Sequence, residues 1–172
     1  MIYWVLFSCQ DKEADSGTTT DSAEEQSSIS PRVAFEISER PFDLALHPDG
    51  RIFCSAQGGS KIYHWHPETD LVVPLNVDFD EALAIAFSGE TLYFPTSDNG
   101  VTGSLAKLEG NEITELATQS TDGTLFRWPM DLLQTPEGTW LLADYNAGAI
   151  FSVEEGGVTT VHSAGSTTPE AL

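Results

Sequence analysis

The sequence predicts an all-β protein of β-propeller type, built of four-stranded antiparallel blades of which about three are present. The main observation is a repeated opening. Residues 41–53 (PFDLALHPDGRIF) and 129–141 (PMDLLQTPEGTWL) share Pro, Asp, Leu, Pro, an acidic residue and Gly without a gap. Residues 83–93 fit this opening after a one-residue deletion, and Pro169 begins it a fourth time. The openings recur roughly every 40 residues, a period that is typical of propeller blades.

Each repeat unit also contains four short apolar segments that are separated by turn residues. The segment HPDG at 47–50 is such a turn, because its proline presets φ and its glycine accepts a positive φ. The innermost segments are almost continuously apolar, as at 84–87, which indicates strands that are covered on both faces. We therefore expect blades at 41–75, 81–118 and 129–163. A β-sandwich would explain the strands, but not the repeated opening.

These units alone do not close a ring, since propellers typically have about four to eight blades. Residues 33–38 precede the first full unit and have the position of an outer strand that completes the last blade. We expect an incomplete propeller, part of a chain roughly twice as long, with residues 33–38 left without a sheet. On the open faces of the first and third blades we expect exposed apolar side chains, namely Phe53, Tyr63 and Trp140.

The N-terminus has the composition of an export signal. Residues 1–8 are apolar except for the last, and they match the end of the apolar region of a signal peptide, since eight residues are too few to span a bilayer. Residues 6–9 (LFSC) resemble a bacterial lipobox. That resemblance implies that residues 1–9 end the signal peptide and that Cys9 carries the lipid. An apolar, disordered N-terminus is the alternative.

A polar segment follows the cysteine. Residues 10–30 hold six acidic residues and eight Ser or Thr residues. Such a segment cannot bury enough apolar surface to offset its ordering entropy, so we expect a disordered tether before a folded region over 31–172. A lipidated cysteine and a tether together predict an exported lipoprotein of the bacterial cell envelope, on the periplasmic or outer-membrane side.

The net charge of −20, with 7 Lys and Arg against 27 Asp and Glu, limits the partners. The negative field of such a charge repels phosphate groups, so we expect no nucleic-acid partner. For the same reason we expect contact with the membrane only through the lipid anchor. The charge suits cation binding, although solubility alone also explains it. Two cysteines, Cys9 and Cys54, are too few for a disulfide framework, and the sequence contains no zinc or nucleotide-binding motif.

Several segments resemble known propeller families. Residues 41–53 resemble an NHL-type repeat. Residues 61–69 (KIYHWHPET) and 143–150 (ADYNAGAI) are similar to segments of the gluconolactonase and senescence-marker-protein family. The similarity extends over residues 39–172 and implies a propeller of that superfamily.

The gluconolactonase resemblance also implies an activity, that of a calcium- or zinc-dependent lactonase with one divalent cation in the central channel. In that family the ligands are a Glu before a blade-opening Pro and an Asn or Asp directly after such a Pro. Glu39 and Glu170 keep a carboxylate at these positions. Phe42 and Met130 stand after the other two prolines and offer no oxygen to a hard cation.

Four further polar residues are candidates for a site, each with two interpretations. Asp43 and Asp131 occupy equivalent points of two blades. They could hold a cation at one mouth of the channel, or they could accept hydrogen bonds from backbone amides at the opening turn. Asp144 and Asn146 follow the second strand of their blade, where they could form a ligand-binding loop or a plain Asx-turn.

Two classes of function follow. The first is a non-catalytic scaffold that binds a ligand or a protein partner through loops on a rigid fold. The second is a metal-dependent, lactonase-like hydrolase. The sequence shows no nucleophile paired with a general base, so no catalytic residue is assigned.

Overall fold

The computed structural model describes residues 3–7, 32–154 and 157–163. Cys9, the predicted tether over 10–30 and Glu170 lie outside these residues. All regular structure in the described part of the chain is β-strand. That part contains no helix of the length and apolarity that crossing a membrane requires.

Two strands precede the repeats. β1 (Tyr3–Phe7) and β2 (Arg32–Ile37) pair antiparallel as a two-stranded sheet. β2 places Phe35 and Ile37 in a buried cluster with side chains of the first blade. The pairing of β1 does not test whether residues 1–9 belong to a signal peptide, and that assignment stays a prediction.

The first blade is a four-stranded antiparallel sheet in which neighbours along the chain are neighbours in the sheet. Its strands are β3 (Arg40–Leu46), β4 (Ile52–Gln57), β5 (Lys61–His66) and β6 (Leu71–Pro74). The turn between β3 and β4 is the predicted HPDG segment. Gly50 adopts a φ of 91° there, and its amide donates to the His47 carbonyl at 2.9 Å.

The second and third blades repeat this antiparallel arrangement. The strands of the second are β7 (Glu81–Ala82), β8 (Ala86–Ser88), β9 (Thr91–Asp98), β10 (Thr102–Glu109) and β11 (Glu112–Ala117). The strands of the third are β12 (Pro129–Gln134), β13 (Trp140–Asp144), β14 (Ala149–Glu154) and β15 (Gly157–Ser163). We call the end of the blades with the β3–β4 and β8–β9 turns the lower end, and the opposite end the upper end.

The innermost strand of the second blade is interrupted, whereas the sequence predicts one continuous strand. Residues 83–85 separate β7 from β8, and both strands pair with β9. The backbone of these residues is bonded to the first blade instead. The Ile85 amide donates to the Asp43 carboxylate, and the Ser55 hydroxyl donates to the Leu83 carbonyl. Register shifts also mark the starts of β3 and β12, so an irregular start is common to all three blades.

The blades pack face to face through large apolar side chains. Between the first and second blades, the rings of Phe53 and Phe87 meet edge to face, with centroids 4.9 Å apart. Between the second and third, Tyr93 and Trp140 lie 4.4 Å apart. Fully burying one such side chain contributes on the order of 1.5–3 kcal/mol, so these interblade contacts are a main source of stability.

The prediction of exposed apolar faces was wrong for all three residues named. Phe53, Tyr63 and Trp140 are only 4%, 8% and 6% exposed. Phe53 and Trp140 point into the interfaces between blades, and Tyr63 is covered because β2 docks on the first blade, where Phe35 stacks on Trp65 at 5.6 Å. The expectation that residues 33–38 would lack a sheet was also wrong, since β2 pairs with β1.

Candidate functional site

Asp43 lies at the irregular start of β3 and joins the first blade to the second. Its carboxylate accepts hydrogen bonds from the amides of Leu44 at 2.8 Å and Ile85 at 2.9 Å. Burial raises the pKa of this carboxyl, the two amides oppose that rise, and the negative charge of Asp131 adds to it. The backbone-capping interpretation therefore describes the contacts of Asp43, and the residue also connects two blades.

Asp131 occupies the equivalent place in the third blade. Its carboxylate accepts a hydrogen bond from the amide of Leu132 at 2.9 Å, as that of Asp43 does from Leu44. Next to burial, the negative charge of Asp131 makes only a minor contribution to the raised pKa of Asp43. A role of these two carboxylates as cation ligands stays a prediction.

The carboxylate of Glu39 is held by two side chains of β5 in the first blade. Its carboxylate accepts hydrogen bonds from the hydroxyl of Tyr63 and from Lys61 Nζ at 2.9 Å. The Tyr63 hydrogen bond, followed by that of Lys61, lowers the pKa of Glu39 to about 2. Among the described residues no three His, Cys, Asp or Glu side chains come together as a metal site, so Glu39 does not join Asp43 and Asp131. Glu170 lies outside the described residues.

Asp144 is fully buried at the upper end of the third blade. Its carboxylate accepts hydrogen bonds from three amides, those of Arg127 at 2.7 Å, Trp128 at 3.0 Å and Ala147 at 2.9 Å. The bond to Ala147 closes the turn after β13, and the other two fix the loop before β12. These contacts are those of a structural carboxylate with both oxygens occupied.

Asn146 stands in the same turn and is exposed. Its side-chain amide donates to the Gly100 carbonyl at 2.8 Å and so ties the third blade to the second. A Cβ at Gly100 would lie 2.6 Å from the Asn146 nitrogen, which explains why this close approach requires glycine. A role of Asp144 and Asn146 in holding a ligand stays a prediction.

An open cleft between two blades was not indicated by the sequence. A cleft of about 730 Å³ lies between the first and second blades and opens at the lower end. Its boundaries include the β3–β4, β8–β9 and β10–β11 turns and the residues after β6. Apolar and imidazole side chains contribute to its walls, among them His47, Phe53, His64, Phe87, Leu92 and Leu108.

The aromatic wall of the cleft is a fixed assembly. The His47 ring meets the edge of Phe87 at 4.8 Å, and His64 stacks on Phe53 at 5.4 Å. Burial lowers the pKa of His64, and the neighbouring Arg51 lowers it further, so this imidazole is held neutral at physiological pH. Phe53 is nearly fully buried, so the wall exists before any ligand arrives.

The mouth of the cleft is predominantly acidic. Asp49, Glu90 and Glu109 contribute carboxylates, and Arg51 is the cation among the lining residues. Arg51 Nε lies 2.8 Å from the Asp49 carboxylate. Burial opposes ionisation of Asp49, but hydrogen bonds from the Arg51 amide, from His47 and from the Arg51 guanidinium outweigh it and hold its pKa below the usual range.

Comparison with known proteins addresses the fold. The sequence matches no family model and no curated protein. Among solved structures, an auxiliary nutrient-binding protein from Bacteroides thetaiotaomicron superposes with a TM-score of 0.60 at 13% identity, over 81% of this chain and 40% of that one. A catalytically inactive virginiamycin B lyase from Staphylococcus aureus, with quinupristin, superposes at 0.58 and 15% identity, over 86% and 50% of the two chains.

A third match is the PQQ-bound aldose sugar dehydrogenase from Streptomyces coelicolor, with a TM-score of 0.53 and 12% identity, over 68% of this chain and 45% of that one. The chain has the β-propeller fold. At these identities the likeness shows the fold alone, because propellers carry many unrelated functions. The chain spans about half the length of the structures that it matches.

Proposed function

We propose that this chain belongs to an exported, lipid-anchored β-propeller of the bacterial cell envelope that acts as a non-catalytic binding scaffold. The cleft between the first and second blades is the observation that carries the proposal. It is a preformed space of about 730 Å³ with an aromatic wall and ionisable groups at its mouth, the combination that is typical of ligand sites. Lipidation at Cys9 and the tether over 10–30 would hold this scaffold at the membrane.

The engagement of the candidate carboxylates supports a binding role over a catalytic one. Both carboxylate oxygens of Asp144 accept hydrogen bonds from backbone amides, and the Glu39 carboxylate accepts hydrogen bonds from Lys61 and Tyr63. Groups bonded in this way position the blades and loops rather than receive protons from a substrate. Loops fixed on a rigid scaffold are suited to recognition.

A metal-dependent lactonase of the gluconolactonase type is the second candidate. The equivalent positions of Asp43 and Asp131 in two blades favour it, because carboxylates can ligate a divalent cation such as Ca²⁺ or Zn²⁺. The described residues do not complete a ligand set, however, since Phe42 and Met130 stand where the resembling family has oxygen ligands. We therefore derive no reaction step through a metal.

One NMR experiment on the full chain separates the two candidates. The ¹⁵N-labelled protein is titrated with 2-phenylethylamine, phenylacetate and 2-phenylethanol, and separately with CaCl₂ and ZnCl₂. A scaffold predicts that at least one organic probe shifts the amides of Thr91 and Asn111 at the cleft. An enzyme predicts that a metal shifts the Leu44 and Leu132 amides and that glucono-δ-lactone is then hydrolysed. No shift in the cleft with any organic probe would contradict the binding role.

A further inference from the structure

We propose that the cleft between the first and second blades takes a ligand that carries a ring-sized apolar group beside a protonated amine, such as an arylalkylamine. This inference rests on the binding role proposed above and adds the chemical class of the ligand. Three features carry it: the space beyond one repeat position, the aromatic wall behind that space, and the charge at its mouth.

The two interfaces between blades differ at an equivalent position of the repeat. Leu92 in β9 and Trp140 in β13 occupy equivalent positions of their blades, because each directly follows the Thr after the turn from the innermost strand. Between the second and third blades, the Trp140 ring fills the interface and lies 4.4 Å from Tyr93. Between the first and second blades the smaller Leu92 faces Phe53, and the cleft opens beside it. Leu92 is only 2% exposed, so the space for a ring lies beyond it, against the half-buried Phe87.

The wall of that space suits an apolar group. Phe53, Leu92 and Leu108 form a nearly buried floor, and the half-buried Leu75 and Phe87 offer apolar surface to the cleft. These side chains are already ordered by packing, so a ligand ring would gain apolar contact without the cost of arranging the wall. A ligand ring would contact the half-buried Phe87 in the offset or edge-to-face geometry that aromatic pairs favour.

The charge at the mouth selects a cation. Glu90 is exposed and has no ion-pair partner among the described residues, whereas Glu109 is paired with Lys107 at 2.9 Å and Asp49 with Arg51 at 2.8 Å. The remaining charge at the mouth is therefore negative, and the chain as a whole carries −20. This field attracts an ammonium group and repels a carboxylate of the same size.

The affinities of three matched probes test the amine preference. The dissociation constants of 2-phenylethylamine, 2-phenylethanol and phenylacetate are measured on the full chain from the amide shifts of Thr91 and Asn111. We expect the amine to bind at least about tenfold more tightly than the alcohol, with phenylacetate weakest. In 1 M NaCl, where the Debye length is about 3 Å, the preference for the amine should shrink. Equal affinity of the three probes would leave the scaffold intact and overturn the amine preference.

Two substitutions locate the site. Leu92→Trp should abolish binding of the amine, because it supplies the indole that fills the next interface. Glu90→Lys lies on an exposed turn, where it should leave the fold unchanged and weaken the amine at least about tenfold without weakening the alcohol. Glu68→Gln, on the exposed β5–β6 turn outside the cleft, is the control and should change neither affinity. Unchanged amine binding in a folded Glu90→Lys variant would overturn the proposed site even if Leu92→Trp fails to fold.

Discussion

Replacing Asp144 with alanine should destabilise the third blade strongly, because its carboxylate is fully buried and accepts backbone hydrogen bonds. The substitution leaves three amides without their acceptor, those of Arg127, Trp128 and Ala147. An unsatisfied buried amide costs about 1–3 kcal/mol. Water will reach some of them as the loop relaxes, so we expect a loss of about 3 kcal/mol or more in the free energy of unfolding.

Urea titration of the full chain, followed by tryptophan fluorescence, measures this loss, since Trp128 adjoins the site. With an m value of about 2 kcal/mol/M, the midpoint should fall by about 1.5 M. Asp144→Asn keeps one oxygen acceptor and should lie between the wild type and Asp144→Ala. Asp98→Ala is the control, because Asp98 is exposed and should cost at most about 0.5 kcal/mol. If Asp144→Ala unfolds within 0.3 M of the wild type, the structural role of this carboxylate is refuted.

Three further predictions concern other parts of the chain. Gly103→Ala should lower the free energy of unfolding by about 1–3 kcal/mol in the same titration, because its Cβ would lie 2.7 Å from Pro129 Cδ. The folded-state pKa of Glu39 is lowered from 4.5 to about 2. The ionised Glu39 therefore stabilises the folded state above pH 4.5, and this contribution is lost as the pH falls through 2. Acid unfolding of Glu39→Gln should therefore depend less on pH across that window, and an identical pH profile would contradict this. Cys9→Ser should move the protein from the membrane fraction to the soluble fraction of the native host, and continued membrane association would contradict lipidation.

The repeat made the blades predictable, because a shared opening and a regular period are properties of the sequence itself. The HPDG turn formed as its residues require, with a positive φ at Gly50. The interruption between β7 and β8 was not predictable from local hydrophobicity. It arises because Ile85 donates its amide to Asp43 in another blade, a bond between residues 42 positions apart.

The candidate site was predicted less well than the fold. The polar residues were visible in the sequence, but their partners were not, since the acceptor role of Asp144 depends on amides of a distant loop. The cleft was missed because it belongs to two blades at once. Comparing the repeats shows that Leu92 stands where the third blade has Trp140. This difference points to the cleft only once it is known which strands face each other between blades.

Intermolecular NOEs between the ring protons of 2-phenylethylamine and the methyl groups of the full chain test the central claim most directly. If the cleft between the first and second blades is the binding site, NOEs connect the ring to the Leu75 and Leu108 methyls and are absent in Leu92→Trp. NOEs confined to Leu44 and Leu132, near the inner-strand carboxylates, would contradict the account and place the ligand in the channel instead.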